Sequence, residues 1–200
     1  MWVGDLLARA VVGGLFLALA ANLFDDFLRT GHLTGLLLLA SELLVALFTM
    51  ARRRTLDVNR SPSALLLTGT SVLGPALLRA TTGNALVPDA LTVSVSAVGL
   101  MIVVAGKLTL GRSFGIVPAN RGVVTGGPYD VVRHPIYLGY MITHLAFLAA
   151  HPLASNLIVI IIADAALVAR ALVEERTLVK DDRYREYCRR VAWHLVPGVF

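Results

Sequence analysis

Six apolar runs, each close to the length of a membrane crossing, divide this chain from end to end. They lie at about residues 7–28, 33–51, 63–80, 89–109, 135–150 and 153–172. About 20 apolar residues carry a helix across the hydrocarbon core, so the pattern predicts an all-α, polytopic integral membrane bundle. The expected count is five or six spans. The third run is polar for a span, with Thr68, Thr70, Ser71 and a Gly74-Pro75 break, and the fifth is short and opens at Pro135, a good first helical residue. Composition agrees: 56% of the 200 residues are hydrophobic and only 16% are charged. Soluble domains carry about a quarter charged residues. The first run follows Asp5 and Arg9 and is too long for a signal-peptide core, so it reads as a span.

The basic residues orient the bundle. Of the 18 Lys and Arg, only Arg29 and Arg79 fall on one side of the predicted spans. The rest, from Arg9 through the Arg52-Arg53-Arg54 run and Lys107 to everything beyond Arg170, fall on the other. The positive-inside rule makes that side cytoplasmic and predicts an inner (plasma) membrane protein with both termini in the cytoplasm. Topology and anionic lipid then explain the net charge of +5, which argues against a nucleic-acid partner.

Two cytoplasmic stretches stand out. Residues 110–134 form a long segment rich in Gly and Arg, of the kind that is functional or disordered in a compact protein. After the last span, Tyr184, Tyr187, Cys188 and Val191 recur at helical spacing among arginines, which predicts an amphipathic helix lying on the membrane or capping the bundle. Cys188 has no partner for a disulfide and no metal-ligand neighbour, so it reads as an ordinary thiol.

Ionisable groups within spans invite functional hypotheses. A hairpin turning near residue 31 sets Glu42 within a turn of Asn22, and Asp164 would lie within a turn of His144. Interhelical hydrogen bonding explains both pairs, and a proton relay is the sharper alternative. Metal binding is not expected: His144 and His151 lack a carboxylate at ligand spacing, and His32 and His194 stand alone. The hairpin around His151-Pro152 is more informative. It sets Tyr129, Arg133, His134 and Tyr137 level with Arg170, Glu174 and Glu175. Two readings fit that convergence: a solvated helix end with ordinary ion pairs, or a site.

The stretch Gly127-Pro128-Tyr129-Asp130-Val131-Val132-Arg133-His134-Pro135-Ile136-Tyr137-Leu138-Gly139 resembles the signature of the isoprenylcysteine carboxyl methyltransferase family and the related phospholipid methyltransferases. Leu110-Gly111-Arg112-Ser113-Phe114 through Val123-Val124-Thr125 is similar to its lead-in. Arg170-Ala171-Leu172-Val173-Glu174-Glu175 matches its Arg-x-x-x-Glu-Glu. The resemblance divides the chain into spans without a motif (1–106) and a catalytic region (107–200) of loop, hairpin and cap helix. It implies S-adenosylmethionine as cofactor, held by Arg121, Gly122, Val123, Val124, Tyr129, His134, Pro135, Ile136, Tyr137 and Glu174. Arg170 would face the acceptor, and no metal is implied.

The residue chemistry is compatible with that implication. Glu174 suits the cofactor's ammonium, His134 or backbone amides its carboxylate, and the faces of Tyr129 and Tyr137 its sulfonium. A carboxylate acceptor needs only an orienting cation, for which Arg170 serves. An amine acceptor needs a base, for which Glu175 is the nearby candidate. The expected activity is methyl transfer to a lipophilic acceptor entering from the bilayer, a prenylcysteine-like carboxylate first, an amine lipid headgroup or a thiol otherwise. Two rivals remain from other classes: a nicotinamide-dependent membrane reductase and a non-catalytic transporter.

Overall fold

The computed structural model describes residues 2–51, 61–81, 85–113 and 122–200. Helices α1 (Trp2–Thr30), α2 (Thr34–Ala51), α3 (Pro62–Leu73), α4 (Asp89–Leu110), α5 (Pro135–Ala150) and α6 (Ala154–Leu178) coincide with the six apolar runs. A seventh, α7 (Asp182–Arg190), is the predicted amphipathic helix, and no described residue is in a strand. By length and composition, α4 and α6 are long and apolar enough to cross a membrane; the 62–77 segment and α5 are shorter apolar helices. The third run is shortened where the sequence suggested it: α3 ends at Leu73, and Pro75–Leu77 forms a separate 3₁₀ turn. Proline lacks the N–H that would continue the α-helical ladder.

Close packing between α4 and α5 centres on two glycines. A β-carbon at Gly139 would lie 2.7 Å from the Gly99 carbonyl oxygen, and one at Gly99 would lie 2.8 Å from the Gly139 carbonyl oxygen. Only a pair without side chains lets these backbones touch. Gly106 is pressed equally hard against Ile136. These contacts fix the start of α5, where the predicted site begins, against the end of α4. Gly31, at φ +74°, turns α1 into α2 as the hairpin reading required.

The polar residues inside the bundle sort themselves differently from the helical-hairpin estimate. His144 Nδ1 and Asp164 Oδ1 meet at 2.6 Å, as expected. Asn22 instead donates to the Leu78 carbonyl at 3.2 Å. Glu42 is in electrostatic contact with His144 and with Lys107. Lys107, counted by position among the cytoplasmic charges, is wholly enclosed in the bundle. Its ammonium donates to the Ser41 carbonyl at 3.4 Å and lies 5.2 Å from the Tyr140 ring centre. A lysine stem is long enough to fold its head back along α4 rather than out to water.

Candidate active site

Pro135 opens α5 at a position where a missing N–H costs nothing, so the chain before it is free to run extended and present His134. Gly126 and Gly127, at φ +104° and +56°, start the 3₁₀ turn Gly127–Asp130 that delivers Tyr129. The apolar stretch of α6 ends near residue 172, and its last turns project Arg170 and Glu174 to the same level. The Tyr184 and Tyr187 rings of α7 close the far side. With Ser113, Leu110 and the 122–124 segment these groups line an open cleft of ≈ 760 Å³, its mouth included.

Within the cleft the polar contacts are short and directed. Tyr137 Oη donates to Glu174 Oε2 at 2.7 Å. The Arg170 guanidinium stands 5.2 Å from the Tyr137 ring centre, and its Nη1 donates to Ser71 Oγ at 3.4 Å. His134 stacks on the same ring, centroids 5.3 Å apart and planes 6° from parallel. Tyr137 is therefore already engaged by a cation and an imidazole, which leaves Tyr129, Tyr184 and Tyr187 as the aromatic walls.

Burial, and after it the neighbouring Glu174 carboxylate, pushes the Tyr129 phenol well up. Burial also raises Tyr184 and Tyr187, more strongly than nearby Arg133 lowers them. All three present neutral rings. Tyr187 Oη donates to the Tyr129 carbonyl at 2.7 Å, joining α7 to the signature turn.

Glu175 lies behind this wall. Its Oε1 accepts from His134 Nε2 at 3.0 Å and from His194 Nδ1 at 2.7 Å, while Oε2 accepts from Arg133 Nη1 at 3.1 Å. Burial alone would raise this carboxyl, but the hydrogen bonds and charges of His134, His194 and Arg133 outweigh it and bring it to about 2. Because the folded value lies below the ordinary one, the stabilisation is complete above about pH 4.5. It is lost as pH falls through about 2. Between those limits the wild type should lose thermal midpoint steadily in detergent. Glu175→Gln, having no carboxyl to protonate, should start lower and lack that component. Parallel acid profiles for the two proteins would show that the carboxylate is not clamped.

The ligand atoms of His134, Glu175 and His194 all lie within 4.8 Å of one another, a spacing that can hold a metal. Two hydrogen bonds to one oxygen and the Arg133 cation on the other explain the same arrangement.

Of the residues implicated by sequence, Gly122, Val123, Val124, Tyr129, His134, Ile136, Tyr137, Arg170 and Glu174 line the cleft. Gly122 has φ +98°, a conformation that side-chain-bearing residues rarely adopt. Pro135 and Glu175 stand outside the lining, and Arg121 lies outside the described residues. Ser113 is visible only within the lead-in stretch, and His194 carries no signal of its own. Tyr184 and Tyr187 are visible in the sequence only as part of the amphipathic pattern of the last helix.

Among the described residues the chain is all-helical and largely apolar, and its aromatic, carboxylate-bearing cleft lies where α5 begins and α6 ends. The family model for phospholipid methyltransferases matches residues 78–184, more than half the chain, and the chain belongs to that family. It is accordingly an integral membrane methyltransferase. No curated protein matches it.

Proposed function

We propose that the cleft binds S-adenosylmethionine and directs methyl transfer to the carboxylate of a lipophilic, prenylcysteine-like acceptor at the cytoplasmic face of a five- or six-span protein. The observation that carries this reading is the meeting of Glu174, Arg170 and His134 around Tyr137 in one cleft. When bound, the cofactor supplies a methyl group already activated on a sulfonium. The residues present fit such a group. Glu174 offers an anion for an ammonium, and the neutral Tyr129 face suits a sulfonium, worth about 0.5–2 kcal/mol. The main chain of 122–124 approaches the cleft without bulky side chains at Gly122.

What the chain itself contributes is placement. The Tyr137 hydroxyl holds the Glu174 carboxylate at one setting, and the aromatic walls shed water, so alignment supplies most of the rate. Arg170 brings a cation into the cleft wall to orient an acceptor carboxylate, which needs no base. The engagement of Glu175 by three donors supports a carboxylate over an amine acceptor, because that anion is occupied and outside the lining. The phospholipid methyltransferase family match supports methyl transfer over nicotinamide-dependent reduction or transport.

The test is calorimetric titration of the detergent-purified protein with S-adenosylhomocysteine. Micromolar binding, weakened about tenfold or more in Glu174→Ala and His134→Ala, is the expected result. A charge-assisted hydrogen bond of about 1.5–3 kcal/mol sets that scale. Absence of binding by folded wild-type protein would overturn the reading.

A further inference from the structure

We infer that His194 is a positioning residue of the active site, fixing the orientation and tautomer of His134 through Glu175. The inference rests on the proposed cofactor role of His134. Residue 194 lies beyond the stretch matched to the family and stands alone in the sequence, yet the fold carries it to the back of the cleft.

The delivery is by main chain. Arg133 N–H donates to the Trp193 carbonyl and His134 N–H to the His194 carbonyl, each at 2.9 Å. Arg133 Nε and Nη2 donate to the Val191 and Cys188 carbonyls at 2.8 and 3.2 Å. The strand-like segment after α7 is thus tied to the signature segment before α5 without help from the His194 side chain. That side chain is free to do something else. Its Nδ1–H reaches the same Glu175 oxygen that accepts His134 Nε2–H.

One carboxylate oxygen receiving both imidazoles makes Glu175 a rigid relay. With Oε2 held by Arg133 and Oε1 by His194, the carboxylate cannot rotate away from His134. It keeps the proton on His134 Nε2 and the ring parallel to Tyr137, whose hydroxyl in turn sets Glu174. Such partners orient the groups that touch a ligand and fix imidazole tautomers. His194 is itself braced. Val196-Pro197-Gly198-Val199 closes a tight turn, Val199 N–H to the Val196 carbonyl at 3.1 Å, with Gly198 at φ +79°. Proline then glycine at these positions is the type II pattern. The turn folds Phe200 back onto the His194 ring, centroids 4.7 Å apart and 21° from parallel.

The experiment uses the full chain in detergent with two readouts: S-adenosylhomocysteine affinity, and ¹⁵N NMR of the labelled histidines, with the His134 signal identified from His134→Gln. In wild type, His134 should be the Nε2–H tautomer. His194→Ala should mix its tautomers and weaken S-adenosylhomocysteine about tenfold, the scale of one charge-assisted hydrogen bond partly transmitted. His194→Asn, whose side-chain amide donates from nearly the same place as Nδ1–H, should restore the tautomer and bring affinity within about threefold of wild type. An unchanged His134 signal in His194→Ala, or loss in His194→Asn equal to that in His194→Ala, would overturn the inference. A wild-type affinity abolished by chelator would also overturn it, by making the trio a metal centre. If wild type fails to bind S-adenosylhomocysteine at all, the cofactor reading falls, and the NMR result alone decides whether His194 positions His134.

Discussion

Lys107→Met should destabilise the folded bundle by about 3–5 kcal/mol, the scale for removing one of two buried, electrostatically coupled charges. Lys107 is fully enclosed and Glu42 is 3% exposed, and each is in electrostatic contact with the other. Methionine fills similar volume, so packing against Tyr140 is largely kept and the loss isolates the charge. The double variant Glu42→Gln/Lys107→Met should recover most of the loss, because a pair replaced together leaves no uncompensated charge. Equilibrium unfolding in mixed micelles reads both. A single variant as stable as wild type would mean that the ammonium is solvated rather than packed among α2, α4 and α5. The coupling also links α2, which carries no motif, to α4.

Arg170→Ala should lower kcat/KM for a prenylcysteine carboxylate by about 10²–10³-fold, the usual scale for removing one preorganised electrostatic group from a water-poor site. S-adenosylhomocysteine affinity should change far less, since Arg170 contacts Tyr137 and Ser71 and the expected partner of the cofactor's ammonium is Glu174. Arg170→Lys should not rescue, because a point charge lacks the planar fork that stacks on Tyr137 and meets a carboxylate in two places. Steady-state methylation of a prenylated cysteine analogue, beside calorimetry, separates the two constants. Equal loss in cofactor affinity would move Arg170 to the cofactor side. Undiminished methylation of an aminophospholipid would assign the acceptor to the amine class instead.

The helices were largely legible in the sequence because apolar length is a local property. The α3 break was legible as well, since Gly74-Pro75 interrupts the ladder whatever surrounds it. The signature residues Tyr129, His134, Tyr137, Arg170 and Glu174 were placed together by counting back from the His151-Pro152 turn, and they do share one cleft. Counting works there because an antiparallel hairpin with a short turn leaves little freedom in register.

Where two helices are not joined by such a turn, the same counting loses its footing. Asn22 bonds the Leu78 carbonyl, and Glu42 is in electrostatic reach of His144 and Lys107, because side-chain direction and helix rotation, not height alone, choose the partner. Likewise Glu174 and Glu175, adjacent in sequence, point about 100° apart around a helix. Only the packing of α6 against α5 and the 191–200 segment decides that Glu174 enters the cleft and Glu175 closes onto three donors behind it. By itself, then, the sequence determined an all-helical membrane chain, the place of its hairpin and the family signature, all carried by local hydropathy, turn chemistry and spacing. The tertiary structure alone decided which charges are buried together and which carboxylate faces the site. It also brought His194 against Glu175, 19 residues away in the chain, because burial and hydrogen bonding are properties of neighbours that the chain brings together only when folded.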